Sequence, residues 1–329
     1  MESADLTPQK DAPAVPVENP AVYEAIIVGG GPAGLSAALI LGRCRRKVLV
    51  IDAGKPRNRF AKHMHGYLTR DCIPPADFYR EAREQLAAYP NVELMDGSVN
   101  GCAKECDFCD FSVELSDGRK FYCSRLLIAT GVSDELPEIE NFAQFYGSSV
   151  HHCPYCDGWE WRDAPVAVYG CGDKAFGTAQ EITAWTRDIV IVTDGPCTFT
   201  AEQREFLTAL EIGIREEPIG RLEGEGDQLQ RIVFTDGSHI DRRAMFFNTG
   251  HKQGCDMFDK LGCRMTEKGC VWTDDYANTS VSGLYCAGDS SKNAQMVIVA
   301  AAEGALAAVA INKSLTKQFK ENKGKGDGV

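Results

Sequence analysis

The chain has 329 residues, of which 44% are hydrophobic and 25% charged, the composition of an ordinary soluble globular protein. This length is enough for about two domains. The net charge of −12 and the pI near 5.1 argue against a nucleic-acid or anionic-membrane partner, because either would need a basic face. Residues 296–311 are the longest apolar stretch, but Glu303 and Gly304 interrupt it, which favours a buried helix over a membrane span.

Both ends of the chain have the composition of tails. Residues 1–20 carry four prolines among acidic and small residues and lack the basic start and apolar centre of a signal peptide, so they predict a disordered tail. Residues 313–329 are rich in Lys and Gly and predict a flexible tail. The 14 cysteines come without a secretion signal, so we expect mostly free thiols in a reducing cytoplasm.

A dinucleotide-binding turn follows the first apolar run. Residues 25–28 lead into Gly29-x-Gly31-x-x-Gly34 and an apolar helix. The glycines of such a motif make the tight turn, admit a pyrophosphate to the backbone and let the helix pack on the strand. The next strand ends at Asp52, where an acid would bind a ribose hydroxyl. The motif predicts a nucleotide site without separating FAD from NAD.

The following segment holds further polar groups. Arg57, Asn58 and residues 63–65 form a polar loop that we expect to lie over the cofactor. Residues 126–131 form a buried parallel-type strand that ends at Thr130 and Gly131.

Three cysteines in this region have a spacing that could hold an iron–sulfur cluster or zinc, namely Cys102, Cys106 and Cys109. However, no second short-spaced pair follows them, and Cys123 falls within a predicted strand. Scattered free thiols and no metal are therefore the prediction.

Cys153 and Cys156 stand three positions apart, with His152 before them and Asp157 after them. Such a pair can close a small disulfide ring, and it lowers the pKa of one thiol, whose thiolate attacks disulfides. The imidazole and the carboxylate supply proton-transfer groups. Cys-x-x-Cys also occurs as half of a zinc site, but the nucleotide motifs on either side of this pair favour redox exchange.

A second nucleotide-like unit follows the cysteine pair. The strand at 165–169 leads into Gly170-x-Gly172-x-x-Ala175, the form that many NADP-binding units take. The segment after the next strand, down to Thr200, has no Arg or Lys for a 2′-phosphate and contains Asp194. The unit could therefore bind NADH, bind NADPH weakly, or be a vestige without nucleotide.

A third glycine loop lies near the end of the chain. A strand delivers Gly288 and Asp289 to a loop that precedes the helix from Gln295. An Asp at such a point can bind a ribityl hydroxyl of a flavin, while the N-terminus of the helix faces the ring. The alternative is that Asp289 only caps this helix.

In this order the motifs resemble those of the low-molecular-weight thioredoxin reductases, over about residues 23–312. The motifs that carry the resemblance are Gly29-x-Gly31-x-x-Gly34, Ala129-Thr130-Gly131, Cys153-x-x-Cys156-Asp157-Gly158, Gly170-x-Gly172-x-x-Ala175 and Ala287-Gly288-Asp289. The resemblance implies an α/β fold with two doubly wound nucleotide-binding-type domains (three-layer ββα), the second inserted in the first. The FAD-binding domain would comprise residues 21–134 and 245–312, and the pyridine-nucleotide-type domain residues 135–244.

The resemblance also implies roles for individual residues and a homodimer. Cys156 would face the flavin C4a, Cys153 would exchange with the substrate, and Asp157 would handle the proton. The FAD contacts implied in this way are Gly29, Gly31, Pro32, Ala33, Gly34, Asp52, Arg57, Asn58, Thr130, Gly131, Gly288, Asp289, Gln295 and Met296. The contacts implied for NADPH or NADH are Gly170, Gly172, Asp173 and Ala175.

Other features resemble the dithiol-oxidase branch, whose members use FAD, a cysteine pair and oxygen to close disulfides in small natural products. These features are the Arg57-Asn58 pair, His63-x-His65 and His152, which in such an oxidase would be the base that forms the attacking thiolate. Several of those oxidases have His at the position of Asp157. An Asp at this position is typical of the reductases.

The predicted function is that of an FAD-dependent thiol–disulfide oxidoreductase that resembles thioredoxin reductase. Its partner would be a thioredoxin-like protein or a small dithiol or disulfide substrate. An oxygen-dependent dithiol oxidase and a flavin-binding redox sensor are the alternatives.

Overall fold

The structure is a computed structural model that describes residues 22–104, 110–292 and 294–326. The predicted tail at 1–20 and the thiols Cys106 and Cys109 lie outside these residues.

The strands are β1 (Val22–Val28), β2 (Val48–Asp52), β3 (Val92–Asp96), β4 (Val99–Lys104), β5 (Phe111–Leu115), β6 (Lys120–Ile128), β7 (Val132–Asp134), β8 (Val150–His151), β9 (Val166–Tyr169), β10 (Ile189–Val192), β11 (Gly213–Arg215), β12 (Ile219–Glu225), β13 (Gln228–Phe234), β14 (His239–Asp241), β15 (Ala244–Phe247), β16 (His251–Gln253) and β17 (Leu284–Cys286). The helices are α1 (Pro32–Arg43), α2 (Pro75–Leu86), α3 (Phe142–Phe145), α4 (Pro154–Asp157), α5 (Gly172–Ile182), α6 (Ala201–Ala209), α7 (Met257–Lys260) and α8 (Val297–Gly326), with 3₁₀ turns at Arg57–Phe60 and Gly158–Trp161.

The first sheet combines strands from both ends of the chain. Its order is β3-β2-β1-β6-β5-β4, and Ile27 of β1 lies opposite Val50 of β2 and Leu127 of β6. Strand β17 pairs in parallel with the end of β6, with Leu284 opposite Leu126, although it follows the whole second sheet in sequence. Strands β4 and β5 extend the sheet from β6 as an antiparallel hairpin.

The second sheet is parallel, in the order β11-β10-β9-β15-β8, and its strands lie in sequence between those of the first sheet. The antiparallel sheet β12-β13-β14 covers one face of it with Leu222 and Ile232, and α5 covers the other face with Ala175 and Ala179. This is a three-layer ββα arrangement inserted in the first domain, as the sequence predicts.

Two boundaries differ from the sequence prediction. Met245 of β15 lies opposite Ala167 of β9, so the chain returns to the first domain after Phe247 and not at 245. An apolar run of this kind pairs equally well in either sheet, and its sequence does not say which. The predicted tail from 313 is also corrected, because α8 continues to Gly326 and Leu315 is buried.

Helix α8 packs closely on α1 through small residues. A Cβ on Gly304 would overlap the Ala33 carbonyl oxygen, and Ala37 of α1 shares a buried cluster with Ala307 and Ala308. By length and composition alone, residues Val297–Lys320 could cross a membrane. The packing of one face against α1 agrees with the buried helix predicted from the sequence.

Strands β7 and β16 are the two connections between the domains. They run antiparallel, with Ser133 opposite Lys252 and Asp134 opposite His251. Asp134 is therefore held at the junction of the domains, beside the site described next.

Candidate active site

A cavity of about 590 Å³ opens at the carboxyl ends of β1, β2 and β6, the edge where ligands bind in α/β sheets. Its volume falls within the roughly 300–1,000 Å³ of typical small-molecule sites. Both domains contribute to its wall. The residues of the predicted site that line it are Gly29, Gly31, Pro32, Ala33, Asp52, Arg57, Asn58, Thr130, Gly131, His152, Cys156, Asp157, Gly288, Asp289, Gln295 and Met296.

The turn after β1 has the backbone geometry of a pyrophosphate site. Gly29 has a φ of +107°, and a Cβ on Gly34 would overlap the Gly29 carbonyl oxygen, so neither position accepts a side chain. A Cβ on Gly31 would instead meet open space. The first turn of α1 contains no acidic residue, so its free N–H groups favour an anion.

Asp52 is oriented by two contacts at the rim of this turn. Its Oδ1 accepts a hydrogen bond from the Gly30 N–H at 3.1 Å, and its Oδ2 lies 2.8 Å from Arg83 Nη2. A carboxylate has further lone pairs available, so these contacts leave Asp52 able to accept from a ribose hydroxyl, and that role stays a prediction.

Arg57 joins three parts of the chain over the cavity. It forms a bidentate ion pair with Asp134, and its Nη1 lies 3.0 Å from Asp289 Oδ2 and 2.6 Å from Gln295 Oε1. Burial opposes the charge of Arg57, but its hydrogen bonds to Asp134 and its attraction to both carboxylates leave its pKa raised. Gln295 Nε2 contacts His251 Nε2 at 3.2 Å and so extends the network to β16.

Asn58 carries an unsatisfied donor at the cavity wall. Its Oδ1 accepts a hydrogen bond from the Tyr79 hydroxyl at 3.0 Å, whereas its Nδ2 is buried without a hydrogen-bond partner. A buried amide donor without a partner is costly, and an acceptor atom on a bound cofactor would satisfy it. The open pyrophosphate turn and this donor both fit FAD.

Cys153 and Cys156 form a disulfide with a Cα–Cα distance of 5.3 Å. Cys156 lines the cavity, which is where the resemblance puts the thiol that faces the flavin. The Cys156 N–H donates to Cys153 Sγ at 3.2 Å, and Cys153 is the N-cap residue of α4. A sulfur that accepts a backbone N–H is stabilised as a thiolate, which suits Cys153 to nucleophilic attack.

His151 is a residue that the predicted site omits. It is buried, and its Nε2 accepts a hydrogen bond from Trp161 Nε1 at 2.9 Å, so its proton is on Nδ1 when the ring is neutral. That Nδ1 lies 3.4 Å from Asp157 Oδ1 and orients the carboxylate beside the disulfide. In the sequence, the only sign of a role for His151 is that it stands next to His152. The hydrogen bond from Trp161, which the fold provides, shows that the two imidazoles have different environments.

His152 has a different environment, at the junction of the domains. Burial, followed by the charge of Arg57, lowers its pKa from 6.5 to about 4. Its Nδ1 lies 3.9 Å from Asp134 Oδ2, an oxygen that also accepts a hydrogen bond from the Tyr146 hydroxyl at 2.6 Å. At neutral pH the imidazole is therefore uncharged and able to accept a proton.

The second glycine motif lies outside this cavity, and its residues Gly170, Gly172, Asp173 and Ala175 do not line it. Asp173, in the first turn of α5, accepts a hydrogen bond from Gln203 Nε2 at 2.8 Å. Cys171, between the two glycines, forms a disulfide with Cys197. The expectation of free thiols is wrong for this pair, because 26 residues separate them and only the fold brings them together.

Cys102, which the sequence predicts to be a free thiol, lies in β4 and forms no disulfide. Burial raises its pKa to about 12, so the metal-free thiol is protonated at neutral pH. Within the ranges that the structure describes, no group of three or more His, Cys, Asp or Glu side chains is arranged to hold a metal ion.

Two nucleotide-binding-type domains, a cavity with an open pyrophosphate turn and a disulfide at its wall indicate a flavoprotein disulfide oxidoreductase. The family model of the pyridine nucleotide-disulphide oxidoreductases matches residues 23–305, and the chain belongs to this family. The family binds FAD and a pyridine nucleotide, and the chain is an oxidoreductase of the thioredoxin reductase type.

The relatives agree with this assignment over most of the chain. Thioredoxin reductase tcpT of Claviceps purpurea is 30% identical over 281 residues, which are 82% of this chain and 87% of the relative. The crystal structure of HlmI superposes with a TM-score of 0.88 at 30% identity, covering 94% of this chain and 98% of that one. An oxidoreductase from Agrobacterium tumefaciens superposes with a TM-score of 0.83 at 34% identity, covering 90% and 99%.

Proposed function

We propose that the enzyme moves two electrons between FAD and a disulfide or dithiol substrate through Cys153 and Cys156. The observation that carries the proposal is the orientation of this pair: Cys156 lines the cofactor cavity, and Cys153 Sγ accepts the Cys156 N–H. Cys156 thus lies at the wall where FAD would bind, while the sulfur of Cys153 is prepared to leave or attack as a thiolate. Bound FAD supplies the two-electron redox chemistry of the exchange.

In the reducing direction the exchange with substrate has two steps. The Cys153 thiolate attacks one sulfur of the substrate disulfide, and the other substrate sulfur leaves as a thiolate and takes up a proton. Cys156, as a thiolate, then attacks Cys153, which releases the second substrate sulfur and closes the Cys153–Cys156 bond. Asp157, oriented by His151, and neutral His152 are the groups that hold and move these protons.

The surface beside the disulfide supports a substrate with an apolar face. Tyr155 lies between the two cysteines in the sequence, Trp159 follows them, and each is 64% exposed. Exposed aromatic residues are typical of binding surfaces. We propose that a thioredoxin-like protein or a small dithiol or disulfide molecule binds there.

An oxygen-dependent dithiol oxidase is the second candidate, and two observations favour it. The Gly172 N–H, which would face a nicotinamide nucleotide, donates to Cys197 Sγ at 3.3 Å. The loop that contains Cys197, from Thr193 to Thr200, has no Lys or Arg that could bind a 2′-phosphate. An enzyme that takes electrons from a dithiol and passes them to oxygen would not use that site.

The test is to mix the holoenzyme without oxygen with NADPH, NADH or dithiothreitol and to follow the flavin absorbance. The wild type and Cys171→Ser, which cannot form the Cys171–Cys197 disulfide, are compared. Under the first proposal a nicotinamide bleaches the flavin of Cys171→Ser rapidly, and a disulfide substrate then restores its colour. Bleaching of both proteins by dithiothreitol alone, with fast recovery in air, would instead establish the oxidase.

We also propose that the enzyme is a cytoplasmic homodimer. Free thiols are found at six positions, which suits a reducing compartment, namely Cys44, Cys72, Cys102, Cys255, Cys263 and Cys286. The resemblance implies the dimer. Light scattering during gel filtration tests the dimer, and a mass equal to one chain would rule it out.

A further inference from the structure

The Cys171–Cys197 disulfide lies across the second glycine motif. Cys171 is the N-cap residue of α5, between Gly170 and Gly172, and Cys197 follows β10 with a Cα–Cα distance of 5.7 Å. Cys171 is exposed to solvent, whereas Cys197 is 9% exposed and belongs to the cluster of buried residues around α5. An incoming thiol can therefore reach Cys171 first.

The first glycine motif shows what the disulfide replaces. There, Gly30 holds the position of Cys171, and its N–H donates to Asp52 at the end of β2. A Cβ on Gly30 would collide with the Asp52 side chain. In the second motif the corresponding side chain is present and is bonded to Cys197, a residue beyond β10. The disulfide thus occupies the region where the first motif keeps its ribose-binding acid.

The disulfide also engages the backbone donor that a pyrophosphate needs. The Gly172 N–H donates to Cys197 Sγ at 3.3 Å, and a Cβ added to Gly172 would meet open space. As at Gly31, the space beside this position is open, but Gly172 has a φ of +64° where Gly31 has −73°, and its N–H is engaged. Asp173 adds a negative charge to the first turn of α5, while the first turn of α1 has none.

We propose that Cys171–Cys197 is a redox switch that closes the pyridine-nucleotide site when oxidised and opens it when reduced. Reduction removes the link between the loop after β10 and the start of α5, so that the Cys197 side chain can turn away. The Gly172 N–H then becomes available to the nucleotide pyrophosphate. The inference rests on the proposed function only in taking the second domain as a nucleotide site.

The reductant is a dithiol, and the exchange balances as a two-electron reaction. A thiolate of the dithiol attacks Cys171 Sγ, the bond to Cys197 breaks, and Cys197 leaves as a thiolate, which takes up a proton, turns away and releases the Gly172 N–H. The second thiolate of the reductant attacks the mixed disulfide, which frees Cys171 and leaves the reductant as a disulfide. The two cysteine thiolates take up the two protons that the dithiol has lost.

The test measures nucleotide affinity of the holoenzyme by calorimetric titration with NADPH and with NADH. We expect Cys171→Ser and Cys197→Ser each to bind one of them at least about tenfold more tightly than the oxidised wild type. Cys44→Ser, which changes an exposed free thiol, is the matched control and should equal the wild type. Equal affinity in all forms, or binding of neither nucleotide by any form, overturns the switch.

A second arm avoids dependence on the folding of the serine variants. In a Cys153→Ser/Cys156→Ser holoenzyme, dithiothreitol should produce the same gain in affinity, and alkylation with mass analysis should show Cys171 and Cys197 newly free. If both are already alkylated before dithiothreitol, the switch is rejected. Bleaching of the flavin by dithiothreitol through Cys153 and Cys156 tests the proposed function separately.

Discussion

Arg57 Nη1 lies 3.0 Å from Asp289 Oδ2, across 232 residues of sequence, and joins the loop after β2 to the loop before α8. The same guanidinium pairs with Asp134, whose side chain is 6% exposed. Because both carboxylates are largely buried, their charges depend on this one cation. The contact therefore connects the cofactor loops with the junction of the two domains.

Replacing Arg57 by Ala should be strongly destabilising. It would leave Asp134 and Asp289 as buried carboxylates without their cation, and breaking a buried pair costs about 3–5 kcal/mol. Denaturation with urea measures the loss in free energy of unfolding, and flavin absorbance measures retained FAD. Arg59→Ala is the control for the free energy of unfolding. Arg59 is exposed, and its described contacts are hydrogen bonds to the backbone carbonyls of Lys55 and Pro56 and a cation–π contact with Phe60. Equal stability of the two variants would contradict the prediction.

Asn58→Ala should weaken FAD binding, and it also removes the acceptor of the Tyr79 hydroxyl. It removes the buried Nδ2 donor, and a neutral hydrogen bond of about 0.5–1.5 kcal/mol corresponds to roughly a 2- to 13-fold rise in the FAD Kd. Fluorescence titration of the apoprotein with FAD measures it. Tyr79→Phe, which keeps the Asn58 amide and removes only its orienting bond, should have the smaller effect. An unchanged Kd for Asn58→Ala would show that the donor faces no cofactor atom.

His152 should make the folded state less stable in acid. Burial and Arg57 lower its pKa from 6.5 to about 4, so the unfolded chain takes up the proton at higher pH than the folded chain. Stability is therefore lost as the pH falls from 6.5 towards 4, by about 2 kcal/mol between pH 7 and pH 5 for this group. His152→Asn should show a correspondingly weaker pH dependence in urea denaturation. The exposed His239→Asn should retain the wild-type slope, and the idea fails if His152→Asn retains it too.

Replacing Cys153 or Cys156 by Ser should abolish turnover in both cases, but only one of the two variants should accumulate a mixed disulfide with the substrate. Cys156→Ser should keep FAD, lose thiol turnover and accumulate a mixed disulfide between Cys153 and the substrate, because the resolving thiol is missing. Cys153→Ser should lose turnover without that adduct. Mass analysis of the intact protein distinguishes them, and retained turnover in Cys156→Ser would remove the proposed role of the pair.

The sequence by itself determined the features that are built from residues adjacent in the chain. The turn at Gly29–Gly34 and the disulfide ring of Cys153 and Cys156 each require only a few adjacent positions, and their residue types are restricted by backbone geometry or by sulfur chemistry. Their order along the chain was enough for the fold class and the family, which the structure and the relatives confirm.

Only the tertiary structure decided which distant groups meet. Asp134 becomes the partner of Arg57 because β7 and β16 pair at the domain junction, and Cys171 bonds to Cys197 because β9 and β10 are adjacent. The roles of His151 and His152 diverge for the same reason: Trp161 binds one imidazole, and burial beside Arg57 keeps the other neutral. Hydrogen bonds and charge interactions act over a few ångströms of space, and residues far apart in sequence reach that range only after the sheets have formed.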